Sequence, residues 1–268
     1  MCVAAIAWQA HPRWQLVAIG NRDEYHERPA APLSRWNDRE DIIAGRDLRS
    51  GGTWLGISEA GRFALVTNRR GFGDPDPTLA SRGSLMTDIL SGTGAYADTK
   101  NTRFNEFNPF NLILANSHEA RFLSNRPDET RTSLAHGIYG LSNGALDEPW
   151  PKTLQLKAAL LTWLNHDSGD AANLFEDLAS EEHPDVGLQP GQPSDVSDEA
   201  RDTAPFIRHS IYGTRCSTIV AIDRKGLGII TERCFSPEGD VTGESHLTFS
   251  WPRPNRPGQS TQWSGTSS

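Results

Sequence analysis

Short apolar runs bounded by turn residues dominate the first third of the chain and predict strands. Residues 2–8 (Cys-Val-Ala-Ala-Ile-Ala-Trp) and 14–20 (Trp-Gln-Leu-Val-Ala-Ile-Gly) form one pair, joined by Gln9-Ala10-His11-Pro12-Arg13 as a hairpin turn. An antiparallel hairpin returns the chain to its starting end, so Asn21-Arg22-Asp23-Glu24 is expected close to Cys2. Further strands are expected at 41–45, 53–58 and 63–67, with Glu59 to Arg62 as a turn, then at 111–115, 120–124 and 137–142. Helical spacing is confined to the middle. Ser84 to Leu90 places Leu85 and Ile89 on one face, and 151–165 places Leu154, Ala158, Leu161 and Trp163 or Leu164 at helical intervals behind Pro151. Residues 171–179 read as a third, shorter helix.

The acidic, Pro- and Gly-interrupted stretch 181–205 has no period and is expected to be a long exposed loop. Two strand-like runs, 214–222 and 228–235, flank an Asp-Arg-Lys-Gly turn, and a last strand is expected near 246–251. The tail 252–268, rich in Pro, Gly and Ser, is expected to be disordered. Strands at both ends enclosing helices in the middle point to an α+β layered sheet protein, with residues 1–251 as one domain.

Composition narrows the function. The 268 residues are ample for a substantial core, and a net charge of -8 supplies no basic field for nucleic acid. No apolar run reaches membrane-spanning length and the start lacks signal-peptide character, so a cytoplasmic protein is expected. The three cysteines, Cys2, Cys216 and Cys234, form neither a disulfide framework nor a metal-binding pair, and no two of the eight histidines have metal-ligand spacing. Cys216 and Cys234 are expected to be neighbours across a hairpin and to be core or half-buried thiols. Trp8, Trp54 and Trp163 are core candidates, whereas Trp36 falls in a polar stretch after Pro29 and Pro32 and is read as a loop residue over the Cys2 site.

Cys2 is the chief chemical candidate. Small second residues favour removal of the initiator methionine, and a terminal cysteine would then join a thiol to an α-amine of pKa roughly 7.7–8.0, a nucleophile with its own base. An arginine such as Arg22 or Arg215 would favour the thiolate. The plainer reading makes Cys2 a small apolar residue at the start of a strand.

An ordered series of motifs carries a resemblance over nearly the whole chain: Met1-Cys2, Asn21-Arg22-Asp23-Glu24, Gly51-Gly52-Thr53-Trp54-Leu55-Gly56, Thr67-Asn68-Arg69, Ser81-Arg82-Gly83, Asn108-Pro109-Phe110-Asn111-Leu112, Leu141-Ser142-Asn143, Trp150-Pro151-Lys152 and Tyr212-Gly213-Thr214-Arg215. The chain thereby resembles the NRDE family, that of the Transport and Golgi Organization protein two. The resemblance implies an N-terminal-nucleophile hydrolase-like αββα sandwich of two antiparallel sheets. It also implies similarity to the choloylglycine and penicillin V acylases, whose terminal cysteine cleaves amides. On that analogy Cys2 attacks a carbonyl, Asp23 orients its amine, Asn68 and Asn143 stabilise the oxyanion or anchor the amine, and Arg215 lowers the thiol pKa. Arg22, Glu24, Asn21 and Trp36 would then contact a small amide or thioester substrate. One departure stands out: those acylases carry an arginine immediately before the asparagine of this segment, where this chain has Gly20, and strand alternation is expected to keep Arg22 from replacing it.

For other members the resemblance implies Golgi organisation and secretion, haem mobilisation, and lipid or acyl-coenzyme A handling. Haem would then be a transported ligand and not a resident cofactor, and a non-catalytic binding or trafficking protein is the alternative to a hydrolase.

Overall fold

The computed structural model describes residues 2–252 apart from 167–168, 184, 189–190, 195 and 198–202. Among the described residues, thirteen strands form two antiparallel sheets. The six-stranded sheet runs in the order β10 (Gly137–Leu141), β1 (Val3–Trp8), β2 (Trp14–Tyr25), β11 (Tyr212–Asp223), β12 (Leu227–Phe235), β13 (Val241–Ser250). The seven-stranded sheet follows chain order: β3 (Ala30–Trp36), β4 (Arg39–Asp47), β5 (Leu55–Ser58), β6 (Arg62–Asn68), β7 (Phe110–Ala115), β8 (Ala120–Ser124), β9 (Thr130–Ser133). Helix α1 (Arg82–Ser91) packs on β4 to β6, while α2 (Pro151–His166) and α3 (Leu174–Leu178) cover the other sheet through β1, β2, β10 and β11. The result is the expected α+β sandwich, two sheets face to face between helical layers.

Strand alternation divides the core in two. Ala4, Ile6 and Trp8 of β1, with Leu16 and Ala18 of β2, meet Ile43, Leu65 and Ile113 between the sheets. Val3, Ala5, Ala7, Val17 and Ile19 point the other way, against Leu156, Leu160, Trp163 and Leu174. The first and second strands are thus apolar on both faces, as a sheet buried on both sides requires.

Several expectations are corrected. Asn21 to Glu24 does not follow a strand but continues β2, because β11 is long enough to pair with it as far as Tyr25. Residues 30–36 and 130–133 are strands that turn residues and polar composition concealed. Trp36 therefore lies in β3 and not in a loop. It is 3% exposed, donates its indole N–H to Ala44 O at 3.0 Å and lies under the Arg46 guanidinium, so it is a core residue and no lid. On α2 the buried stripe is Lys152, Leu156, Leu160 and Leu164, spaced by four, whereas Leu161 on the expected face is 50% exposed. That stripe carries the larger side chains opposite β1 and β10.

Within 181–205, Glu181 and Glu182 are exposed as expected, but Val196 and Ala204 are buried, the former against Trp150. The expected tail, apart from Pro252, lies outside the described residues. None of the helices among the described residues is long and apolar enough to cross a membrane.

Candidate active site

The ends of β1, β2, β6, β10 and β11 converge at one end of the sandwich. Pairing of Val3 with Asn21 brings the asparagine-to-glutamate segment beside Cys2, as the hairpin predicts. Ser142 Oγ donates to Cys2 O at 2.7 Å, so Asn143 follows directly alongside. Thr67 Oγ1 donates to Ser142 O at 2.6 Å and Asn143 Nδ2 to Asn68 O at 2.7 Å, which fastens the two sheets together here. Cys2 is partly buried and packs toward the inter-sheet core. Burial pushes its thiol up; the Asp23 backbone N–H and the Arg22 charge act in the opposite direction.

Alternation along β2 gives its four polar residues two destinations. Asn21 and Asp23 face the helices. Asn21 is fully buried: Nδ2 donates to Leu178 O and Pro205 O, each at 2.8 Å, while Oδ1 accepts from Ser217 Oγ at 2.7 Å. Its side chain is a tether for α3 and for the segment around Pro205. Asp23 is also buried; its Oδ1 accepts from Thr214 Oγ1 at 2.8 Å. Burial raises its carboxyl to about 6, opposed by the charge of Lys152 and the Thr214 hydrogen bond.

Arg22 and Glu24 face the space between the sheets. Arg22 Nη2 donates to Asp47 Oδ2 at 3.0 Å and lies 3.8 Å from Glu24, while its Nη1 is buried with no hydrogen-bond partner among the described residues. Arg28 shares the same Asp47 oxygen. Gly20 and Arg22 are two residues apart and so share a face, contrary to the sequence argument that alternation separates them. What keeps Arg22 from replacing a side chain at position 20 is its commitment to Asp47, together with Trp54. A Cβ on Gly20 would stand 2.7 Å from Val3 O and 3.2 Å from the Trp54 ring.

The remaining predicted residues are distributed unevenly. Asn143 is buried with its Oδ1 unpartnered among the described residues, whereas the Asn68 residue at the end of β6 is exposed. Arg215 donates to Tyr25 O and Arg28 O, both at 2.9 Å, and interacts electrostatically with Arg22, Cys216, Glu24 and Cys234. Cys2, Asp23, Asn143 and Asn68 are therefore gathered, with Arg22 adjoining and Arg215 near Arg22.

Sequence reading missed two residues. Lys152, wholly buried at the start of α2, has its ammonium lowered to about 8 by burial, against the charges of Asp23 and Cys2. The available signal was a lysine four residues ahead of Leu156 in the buried stripe. Glu232 is a buried carboxyl on β12 that accepts from Leu33 N at 2.7 Å, its pKa raised by burial. It borders a cavity of about 340 Å³ between the sheets, lined also by Arg22, Trp54, Arg215, Cys216 and Cys234. Cys216 and Cys234 are paired directly across β11 and β12, and burial pushes the Cys234 thiol up to about 12. Among the described residues no cluster of three or more His, Cys, Asp or Glu side chains is placed to hold a metal.

The profile of the family described as Transport and Golgi organisation 2 matches residues 1–237. The chain belongs to that family. The Homo sapiens Transport and Golgi organization protein 2 homolog is 30% identical over 258 residues, covering 87% of this chain and 92% of that protein. The Mus musculus homolog is 28% identical over the same length. Among solved structures, the C2A mutant of conjugated bile acid hydrolase from Clostridium perfringens aligns with a TM-score of 0.50, covering 96% of this chain and 100% of that one. At 8% identity this is a likeness of fold alone.

Proposed function

We propose that the chain is a carrier that binds the anionic end of a small acylated or tetrapyrrole molecule in the cavity between the sheets. The observation that carries this reading is Arg22 on the wall of a cavity of about 340 Å³, its Nη1 buried without a hydrogen-bond partner among the described residues. Arg215 adds a second guanidinium with no carboxylate in ion-pair contact among the described residues, and Trp54 and Phe235 supply apolar surface. Two guanidiniums with N–H groups beyond those given to Asp47 and to the Tyr25 and Arg28 carbonyls, beside an aromatic wall, suit a carboxylate or phosphate joined to an apolar body. The volume suits a headgroup or chain end, so haem would enter by its propionate edge. Membership in a family named for transport supports the same reading, and acyl-coenzyme A, lipid and haem are the ligands the resemblance implies.

Titration of the full chain with palmitoyl-coenzyme A and with haem, followed by the fluorescence that Trp54→Phe removes, tests this. Saturable quenching by either is expected; none from both defeats the proposal.

A second reading is favoured by the gathering of Cys2, Asp23 and Asn143. Here Met1 is removed, the α-amine of Cys2 takes the Sγ proton, and the thiolate attacks the carbonyl carbon of an amide or thioester. The amine proton passes to the leaving group, and water hydrolyses the acyl-thioester. Asn143, with one Nδ2 proton beyond that given to Asn68 O, would donate to the oxyanion. The closed position at Gly20 weighs against full acylase chemistry. Intact mass after an electrophilic amide or β-lactam probe decides: one adduct, absent in Cys2→Ala, supports the nucleophile, and a retained Met1 or an unmodified Cys2 removes it.

A further inference from the structure

Lys152 has no solvent exposure, and a lysine is almost never fully buried without compensation. Its Nζ donates to Thr203 Oγ1 at 2.6 Å and lies 5.4 Å from the Trp150 ring centre. Thr203 belongs to a strap fastened to the same strands as Asp23. Pro205 O accepts from Asn21, and Ile207 N–H donates to Thr214 Oγ1, the hydroxyl that in turn donates to Asp23 Oδ1. Helix and strap thus hold the ammonium on the helix-facing side of the sheet, the side to which Asp23 points. Among the described residues no carboxylate is in ion-pair contact with Nζ, so its compensation comes through the field of Asp23 and Cys2.

We propose that Lys152 is a positioning residue for Cys2: its cation offsets the Asp23 carboxylate, so that the α-amine exposed by loss of Met1 stays neutral and can take the thiol proton. This rests on the nucleophile reading. A buried carboxylate with a single amine for a neighbour would hold that amine as its ammonium partner, and a protonated amine is no base. A second cation beside the carboxylate removes that demand. It also favours the thiolate left on Sγ when its proton moves to the amine nitrogen.

Other cations also bear on these groups: Arg22, although engaged by Asp47, acts on both Cys2 and Asp23, and Arg82 acts on Cys2. The Arg70 charge opposes protonation of Lys152. From the turn after β10, Asp147 pairs with Lys157, and Glu148 accepts from Ser194 Oγ and Ala145 N–H.

The test is the pH dependence of Cys2 carbamidomethylation by iodoacetamide in the untagged full chain, read by peptide mass, for wild type, Lys152→Met, Lys152→Gln and Lys152→Arg. Removing the cation raises the pKa of both amine and thiol, so Met and Gln are expected to move the midpoint upward by about one pH unit, roughly tenfold in rate at neutral pH. Arg is expected to restore it. Gln keeps a donor for Thr203 and decides the matter if Met does not fold. A folded Gln variant with the wild-type midpoint overturns the proposal. Alkylation needs no turnover, so a Cys2 that labels normally without ever hydrolysing an amide sinks the hydrolase reading alone. A Cys2 that no electrophile reaches at any pH sinks both.

Discussion

Gly20→Ala tests how the Cys2 end of the sandwich is closed. The added Cβ would lie 2.7 Å from Val3 O, 3.0 Å from Ala4 Cβ and 3.2 Å from Trp54 Cη2. The shortest of these is to backbone, so no rotamer change relieves it and β1 must shift against β2. Overpacking of this kind costs about 1–3 kcal/mol. Replacing glycine in a strand returns about 0.5–1 kcal/mol. A net loss of about 1–2 kcal/mol, at roughly 2–4 °C per kcal/mol for a chain of this size, lowers Tm by about 3–6 °C. Gly243→Ala in β13 is the control, since its Cβ would meet nothing within 4 Å. Differential scanning calorimetry on the two variants and wild type gives the answer. A Gly20→Ala protein as stable as Gly243→Ala would refute the argument that Trp54 and β1 close this position, and with it the reason for doubting acylase chemistry here.

Trp36→Ala is expected to cost about 3–5 kcal/mol in denaturant unfolding, as a core tryptophan should; a loss under about 1 kcal/mol would return it to the role of a mobile cover. Asp23 carries a carboxyl whose folded pKa is raised from 3.8 to about 6, so the folded state binds the proton more tightly than the unfolded chain does. Its contribution is fully present below pH about 4 and is lost as pH rises toward 6, on the order of 3 kcal/mol. The stability difference between wild type and Asp23→Asn should therefore change across that window and be flat above it; a flat difference throughout contradicts the assignment. With the Cys234 thiol near 12 and the Cys216 thiol pushed well up by burial, iodoacetamide at pH 8 should leave both unmodified, and labelling of either in the folded chain would contradict those raised pKa values.

Much of this architecture is legible in the sequence because its strands announce themselves. The runs at 2–8, 14–20, 63–67 and 214–222 are apolar and β-branched, and their hairpin turns dictate which ends meet. That is why Cys2 and Asp23 could be put together without coordinates. Strand β3 was hidden by Pro32 and by exposed polar residues at an edge, where proline is tolerated and one face is wet. On α2 two apolar stripes competed, and only the sheet beneath decides between them. Lys152 enters the sequence reading only as part of a motif; its burial depends on Thr203 and Asp23, remote in the chain. Arg215 illustrates the converse. Its residue type fitted a role at the thiol, but an irregularity in the β2–β11 pairing between Thr214 and Cys216 accompanies its turn toward the carbonyls of Tyr25 and Arg28.

The carrier reading depends most directly on Arg22, and the decisive measurement is the affinity of palmitoyl-coenzyme A for wild type, Arg22→Leu and Cys2→Ala by calorimetric titration. Loss of charged hydrogen bonds worth about 1.5–3 kcal/mol predicts at least tenfold weaker binding in Arg22→Leu, with Cys2→Ala unchanged. Equal affinity in Arg22→Leu, or binding that disappears with the Cys2 thiol, would contradict the account.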